Sequence, residues 1–284
     1  MMGGNTDGGY LDTNKRFNIG SNSFTDLNSV PSVGSEGANE YDGSDTIILT
    51  YGREPDPNSA GTIDSVKVYK YTISSDSWQS VTDRPRSHSG FGSFIIDGWI
   101  YISSGFSNSS GSISYFYRYD ISADSWDTSP PSSPINGSAI SDGTQYDGKG
   151  YVTSEGDIYS YDPQTSSWDT SLTSASGDLQ QEASIAAHDG YVYMVGGRSS
   201  GGSVLTTAKR YEISSDSWSS IQDMPIERVN AESIVVDGVL YVGPGGVTQD
   251  VDADKIIAYD IQAGSYSTYT ANYNYDPNLG GVDG

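Results

Sequence analysis

A tyrosine and a tryptophan recur seven residues apart along this chain, and that spacing constrains the fold more than any other feature. The pairs are Tyr71 and Trp78, Tyr119 and Trp126, Tyr161 and Trp168, and Tyr211 and Trp218; weaker copies stand at Phe17 and Phe24 and at Tyr259 and Tyr266. The first aromatics fall at 17, 71, 119, 161, 211 and 259, so six copies begin 42 to 54 residues apart. A repeat of that length matches one four-stranded propeller blade. Within a copy such as YEISSDSW, Tyr211 and Ile213 alternate with polar neighbours, Ser214 to Asp216 are turn formers, and Trp218 opens a second strand. The period is two, not 3.6.

A second phrase precedes the better copies: an apolar run, Asp-Gly, another apolar run, then glycine. It reads DGYVYMVGG from Asp189, DGVLYVGPGG from Asp237 and DGWIYISSG from Asp97. Asp-Gly between apolar runs is a strong hairpin signal, because both turn positions tolerate positive φ. Each unit is therefore hairpin, loop, hairpin.

With both phrases in place the chain resembles the Kelch family of β-propellers, in which a strand ending in Gly-Gly is followed by a Tyr and a Trp about seven apart. The double glycine is intact at Gly196-Gly197 and Gly245-Gly246, with Gly3-Gly4 as a third; Tyr51-Gly52, Ser104-Gly105 and Glu155-Gly156 replace it elsewhere. Six copies and this resemblance imply an all-β fold: one domain over 1–284, a six-bladed β-propeller of four-stranded Kelch-like blades. Ring closure is expected by pairing of N- and C-terminal strands, the last blade combining an inner strand near Tyr273 to Gly281 with outer strands from the N-terminus. Such closure removes exposed sheet edges.

Charge narrows the partners. Against 14 basic residues stand 37 acidic ones, a net charge of −23, which disfavours nucleic acid and anionic lipid. The dense carboxylates resemble those of halophile proteins, whose self-repulsion is screened at molar salt. With no cysteine, disulfides and thiolate chemistry are absent. No signal peptide and no transmembrane run are recognisable. The expectation is a protein made in the cytoplasm or read after removal of a leader, with assembly into a virion or onto a cell surface as settings; no membrane insertion is expected.

The short turns carry Asp76, Asp97, Asp124, Asp189, Asp216 and Asp237 and predict an acidic face, whereas the long loops form the opposite one. Five of the eight arginines, Arg53, Arg84, Arg86, Arg198 and Arg228, fall on the long-loop side, which suggests a shallow site for a carboxylated or sulfated glycan. Arg53 and Arg198, directly after the inner hairpins, are the leading candidates. Kelch repeats commonly carry an arginine before the inner strand, so the resemblance also offers Arg84, Arg86 and Arg228 a scaffold role. His88 is a candidate for the central channel and His188 for the surface. A lone histidine makes neither metal site nor triad. Copper oxidases among Kelch-like proteins use a Cys-Tyr crosslink, which this chain cannot build. Glu36, Glu182, Glu227 and Glu232 are candidate acid and base groups for glycoside chemistry. Asp250, Asp252 and Asp254 are spaced like a calcium loop but lack its glycine and distal glutamate.

The functional expectation is a non-catalytic recognition or assembly module of a halophilic system, with no cofactor and no metal. Its expected partners are a surface glycan or the protein subunits of a larger assembly, with a virion surface or tail protein as one setting. The alternative is a carbohydrate-active enzyme such as a sialic-acid mutarotase, an activity that Kelch-like rings can carry.

Overall fold

The computed structural model describes residues 5–6, 9–10, 12–135, 142–175, 180–246 and 255–270. Five four-stranded antiparallel sheets form five blades, numbered here in chain order. Blade one comprises Ala38–Tyr41, Thr46–Thr50, Val68–Thr72 and Ser77–Ser80. Blade two comprises Gly92–Ile96, Trp99–Ser103, Phe116–Asp120 and Ser125–Asp127. Blade three is built from Gly143–Tyr146, Lys149–Ser154, Asp157–Asp162 and Ser167–Asp169. Blade four is built from Ser184–His188, Tyr191–Val195, Ala208–Glu212 and Ser217–Ser220. Blade five holds Ser233–Val236, Val239–Val242, Lys255–Asp260 and Ser265–Thr270.

The number of blades corrects the six expected from the repeats. The copy at Phe17 and Phe24 forms only a two-stranded hairpin, Lys15–Asn18 with Ser23–Asp26. The aromatic pair marks an outer hairpin, and ahead of Phe17 the described chain offers only the short pairing of Asn5–Thr6 with Gly9–Tyr10. The closing strand expected near 273–281 lies outside the described residues. The hairpin packs between blades five and one: Phe17 lies 5.6 Å from the Tyr269 ring, and Trp78 Nε1 donates to the Asn28 carbonyl at 2.9 Å.

The repeated phrases fold as their chemistry requires. Every aromatic pair is a direct cross-strand pair, Tyr71 with Trp78 through Tyr259 with Tyr266, with ring centroids 4.7–5.3 Å apart. Such pairs are the unit of sheet stabilisation. The Asp-Gly turns have both residues at positive φ, for example Asp189 at 46° and Gly190 at 81°. Apolar side chains pack between neighbouring blades: Ile48 and Val68 of blade one meet Ile100, Ile102 and Tyr117 of blade two. Blades two and three share an aromatic layer of Phe94, Tyr101, Phe116 and Tyr161.

The acidic turns are not simply a solvated face. Asp76, Asp124 and Asp216 each accept their own blade's tyrosine hydroxyl (Tyr71, Tyr119, Tyr211) at 2.7 Å. Each also accepts a backbone N–H from the tail of the preceding element, Asn28 at 3.0 Å, Thr82 at 2.7 Å and Thr173 at 2.7 Å. The indoles of Trp78, Trp126 and Trp218 donate to the carbonyls of those same three residues at 2.6–2.9 Å. One turn thus clasps both faces of a neighbouring peptide. The N–H bonds from Thr82 and Thr173 hold Asp124 and Asp216 below the usual carboxylate range.

Candidate functional site

The innermost strands converge on the axis and bring three carboxyl groups with them. Glu40 comes from blade one, Asp142 directly precedes the inner strand of blade three, and Glu232 directly precedes that of blade five. Serines stand between them: Ser93 Oγ donates to Glu40, and Ser184 Oγ bonds Asp142 Oδ2 at 3.1 Å and Ser233 Oγ at 2.7 Å. Inner strands are sheet edges with spare N–H groups. Asp142 Oδ2 accepts one of them, Ile185 N, at 2.8 Å, and Thr144 Oγ1 accepts Ala187 N at 3.1 Å.

Surroundings decide the protonation of this trio. Burial pushes the Glu40 carboxyl up to about 8; the Ser93 bond opposes the rise and the Asp142 charge adds to it. Glu232 is raised by loss of solvation and by the charges of Asp142 and Glu40. Glu232 itself remains exposed to solvent. Burial also raises Asp142, against the pull of its bonds from Ile185 N, Gly143 N and Ser184 Oγ. The trio thus offers protonated carboxyls as donors beside carboxylate and hydroxyl acceptors. Among the described residues no group of three or more His, Cys, Asp or Glu is arranged to hold a metal ion.

On the long-loop side one motif is used twice. Arg53 Nη1 pairs with Glu36 Oε1 at 3.1 Å in blade one, and Arg198 Nε pairs with Glu182 Oε2 at 2.9 Å in blade four. Each arginine bridges to the residue just before its glutamate, Ser35 with Arg53 and Gln181 with Arg198. Each glutamate has positive φ, 52° and 57°. Asn230 Nδ2 reaches the same Glu182 Oε2 at 3.3 Å. All four paired side chains are half-buried. Glu36 and Glu182 are therefore paired with arginine rather than standing as free acid and base groups. A neighbouring loop is fixed from blade to blade, because Asp64 Oδ2 accepts Asn108 N at 2.7 Å.

The other sequence candidates lie elsewhere. Arg84, 3% exposed, donates to the carbonyls of Tyr51, Ser65 and His88 and to the Tyr117 hydroxyl. Arg228, 1% exposed, donates to the carbonyls of Glu227 and Lys255. His88 does not face the channel: it is fully buried, with Nε2 2.6 Å from the Tyr117 hydroxyl. Burial first, then the charges of Arg84 and Arg86, push its pKa down to about 2 and keep the ring neutral. Arg86 is exposed and stacks 4.4 Å over the Tyr115 ring. His188 ends the inner strand of blade four, half-buried. Residues 250–254 lie outside the described part. Sequence reasoning listed Glu232 but missed Glu40 and Asp142.

Comparison with known proteins agrees with this architecture. The family description "Kelch motif" matches residues 182–225, the span from Glu182 through the clasping turn of blade four. No curated protein sequence matches the chain. Among solved structures, one titled "Structure of YjhT" superposes with a TM-score of 0.72 at 13% identity, covering 87% of each chain. Because 602 solved chains match, the likeness identifies a fold and not an activity.

Proposed function

This chain is a β-propeller carrying a Kelch motif, and on that premise we propose that it is a recognition module binding a hydroxyl-rich, anionic glycan on its long-loop side. The observation that carries this reading is the pair of half-buried Arg–Glu units, Arg53 with Glu36 and Arg198 with Glu182. A sugar hydroxyl both donates and accepts, so a wall that alternates guanidinium and carboxylate suits it, and the guanidinium fork suits an acidic sugar. Assembly of this kind, on a virion or cell surface, needs no chemistry from the module itself.

A glycan array in high salt tests the proposal. Arg53→Ala and Arg198→Ala are each expected to weaken a captured anionic glycan by about 1–3 kcal/mol. Melting temperature should barely move, because half-exposed pairs contribute about 0–1 kcal/mol. Capture unchanged in both variants would refute the site. A second reading, glycan processing, is favoured by the raised carboxyls of Glu40 and Glu232 beside Asp142, since a protonated acid near a carboxylate is the usual equipment for that chemistry. Turnover of a captured glycan, lost in Glu40→Gln, would establish it.

We further infer a high-salt working environment from the charge of −23. Unscreened repulsion opposes compaction, and at molar salt the Debye length is only about 3 Å. The melting temperature is expected to rise steeply between dilute buffer and molar salt. Equal values would refute the inference.

A further inference from the structure

Among the described residues, the clasp described above is missing at two seams. Between blades two and three, the tail residue that should offer its N–H is Pro131, two before Ser133, just as Thr82 stands two before Arg84. Ser133 N donates to Ser114 O as Arg84 N donates to Val66 O, which fixes the correspondence. Proline has no N–H to give. The aspartate is absent as well: Ser166 occupies its place at φ 51°, matching Asp76, Asp124 and Asp216 at 47–49°. Between blades four and five, Gly264 and Tyr266 stand where the aspartate and tryptophan stand elsewhere.

The leftover polar atoms fall at the same two places. Trp168 Nε1 and Tyr266 OH are buried without a hydrogen-bond partner, whereas the indoles of Trp78, Trp126 and Trp218 are all satisfied. Donor and acceptor are both lost between blades two and three, whereas between blades four and five Gln222 keeps its N–H and only the accepting aspartate is lost; a buried orphan donor carries a cost that opening relieves. Near the axis both seams remain close: Ser184 Oγ bonds Ser233 Oγ at 2.7 Å and Asn230 N donates to Glu182 O at 3.1 Å between blades four and five, and the Gly143 backbone packs against that of Ser93 between blades two and three. At the rim the two seams are held by apolar packing, Phe116 against Trp168 at 4.8 Å and Ile221 and Tyr266 against the core of blades four and five, without the hydrogen-bonded clasp that locks the others.

We infer that the propeller opens in two blocks, blades three with four, and blade five with the N-terminal hairpin and blades one and two, hinging at the two seams that lack the clasp. The first block carries Asp142 and the second carries Glu40 and Glu232. Opening a seam therefore changes the distance from Asp142 to the other two carboxyls, and a ligand that bridges Asp142 to either of them restrains the blocks.

Hydrogen exchange with mass spectrometry on the whole protein in high salt tests this. Amides of the clasping hairpins at the open seams, Ser167–Asp169 and Ser265–Thr270, are expected to exchange at least about tenfold faster than those of Ser77–Ser80, Ser125–Asp127 and Ser217–Ser220. One net hydrogen bond is worth nearly that factor. Installing the clasp with Ser166→Asp and Pro131→Thr together should slow exchange at Ser167–Asp169 by a similar factor. Asp216→Asn should speed it at Ser217–Ser220. Uniform protection across all five outer strands, or fastest exchange at the clasped seams, overturns the inference.

Discussion

Replacing Arg84 with alanine is expected to lower the unfolding free energy by about 3–5 kcal/mol, since each buried acceptor left without its donor costs about 1–3 kcal/mol. The guanidinium makes four hydrogen bonds of 2.6–3.1 Å, to the carbonyls of Tyr51, Ser65 and His88 and to the Tyr117 hydroxyl. It also lies 4.5 Å over the Phe91 ring. These partners come from the end of one strand of blade one, the approach to the next, the inter-blade segment and blade two. One side chain therefore ties four pieces of chain together. Alanine leaves three buried carbonyls without this donor and opens a void beside Phe91. Arg84→Met is a useful second variant, because Met224 occupies the corresponding place in blade four, its N–H on Thr206 O at 2.8 Å as Arg84 N–H lies on Val66 O at 2.8 Å. Methionine fills the volume but donates nothing, so its cost should fall between wild type and alanine. Denaturant midpoints of the three proteins measure the series. A loss below about 1 kcal/mol for Arg84→Ala would show the network to be dispensable.

The same position shows what a sequence reveals and what it hides. The aromatic pairs and Asp-Gly turns were legible because both are local: a cross-strand pair and a two-residue turn need nothing beyond neighbouring residues. Blade number was not, since the Phe17 and Phe24 pair certifies an outer hairpin and says nothing about an inner one. For Arg84 and Arg228 the resemblance offered a scaffold role beside ligand binding, but charged residues default to the outside and nothing local separated the two. The counter-signal was present at Met224, since an apolar residue at a repeat position occupied elsewhere by arginine marks that position as interior. The pairing of Arg53 with Glu36 and of Arg198 with Glu182 was also written in the chain, as two copies of one motif with nearly equal spacing. Glu40 and Asp142 carried no such mark. They meet only because different blades bring their inner edges to one axis, and no spacing along a chain encodes that convergence.

Gly143→Ala is expected to cost about 3 kcal/mol, the upper end for overpacking, because nothing around the site can yield. A Cβ at this position would stand 2.1 Å from the Ser93 carbonyl oxygen, 2.7 Å from its carbon and 3.0 Å from its nitrogen. All three are backbone atoms of the inner strand of blade two, itself hydrogen-bonded into its sheet. Only separation of blades two and three at the axis relieves the clash, and Asp142, the adjacent residue, would be carried with it. Its bond to Ile185 N, 2.8 Å long, would lengthen, and the edge N–H it satisfies would be left exposed. Gly148→Ala provides the comparison. That glycine has φ of 72° with open space around it, so alanine there meets only backbone strain of about 1 kcal/mol. Unfolding midpoints for the two variants separate steric closure of the axis from turn conformation. Equal losses would mean that the inner strands are free to part, and that the close approach of Gly143 to Ser93 is not what sets the position of Asp142.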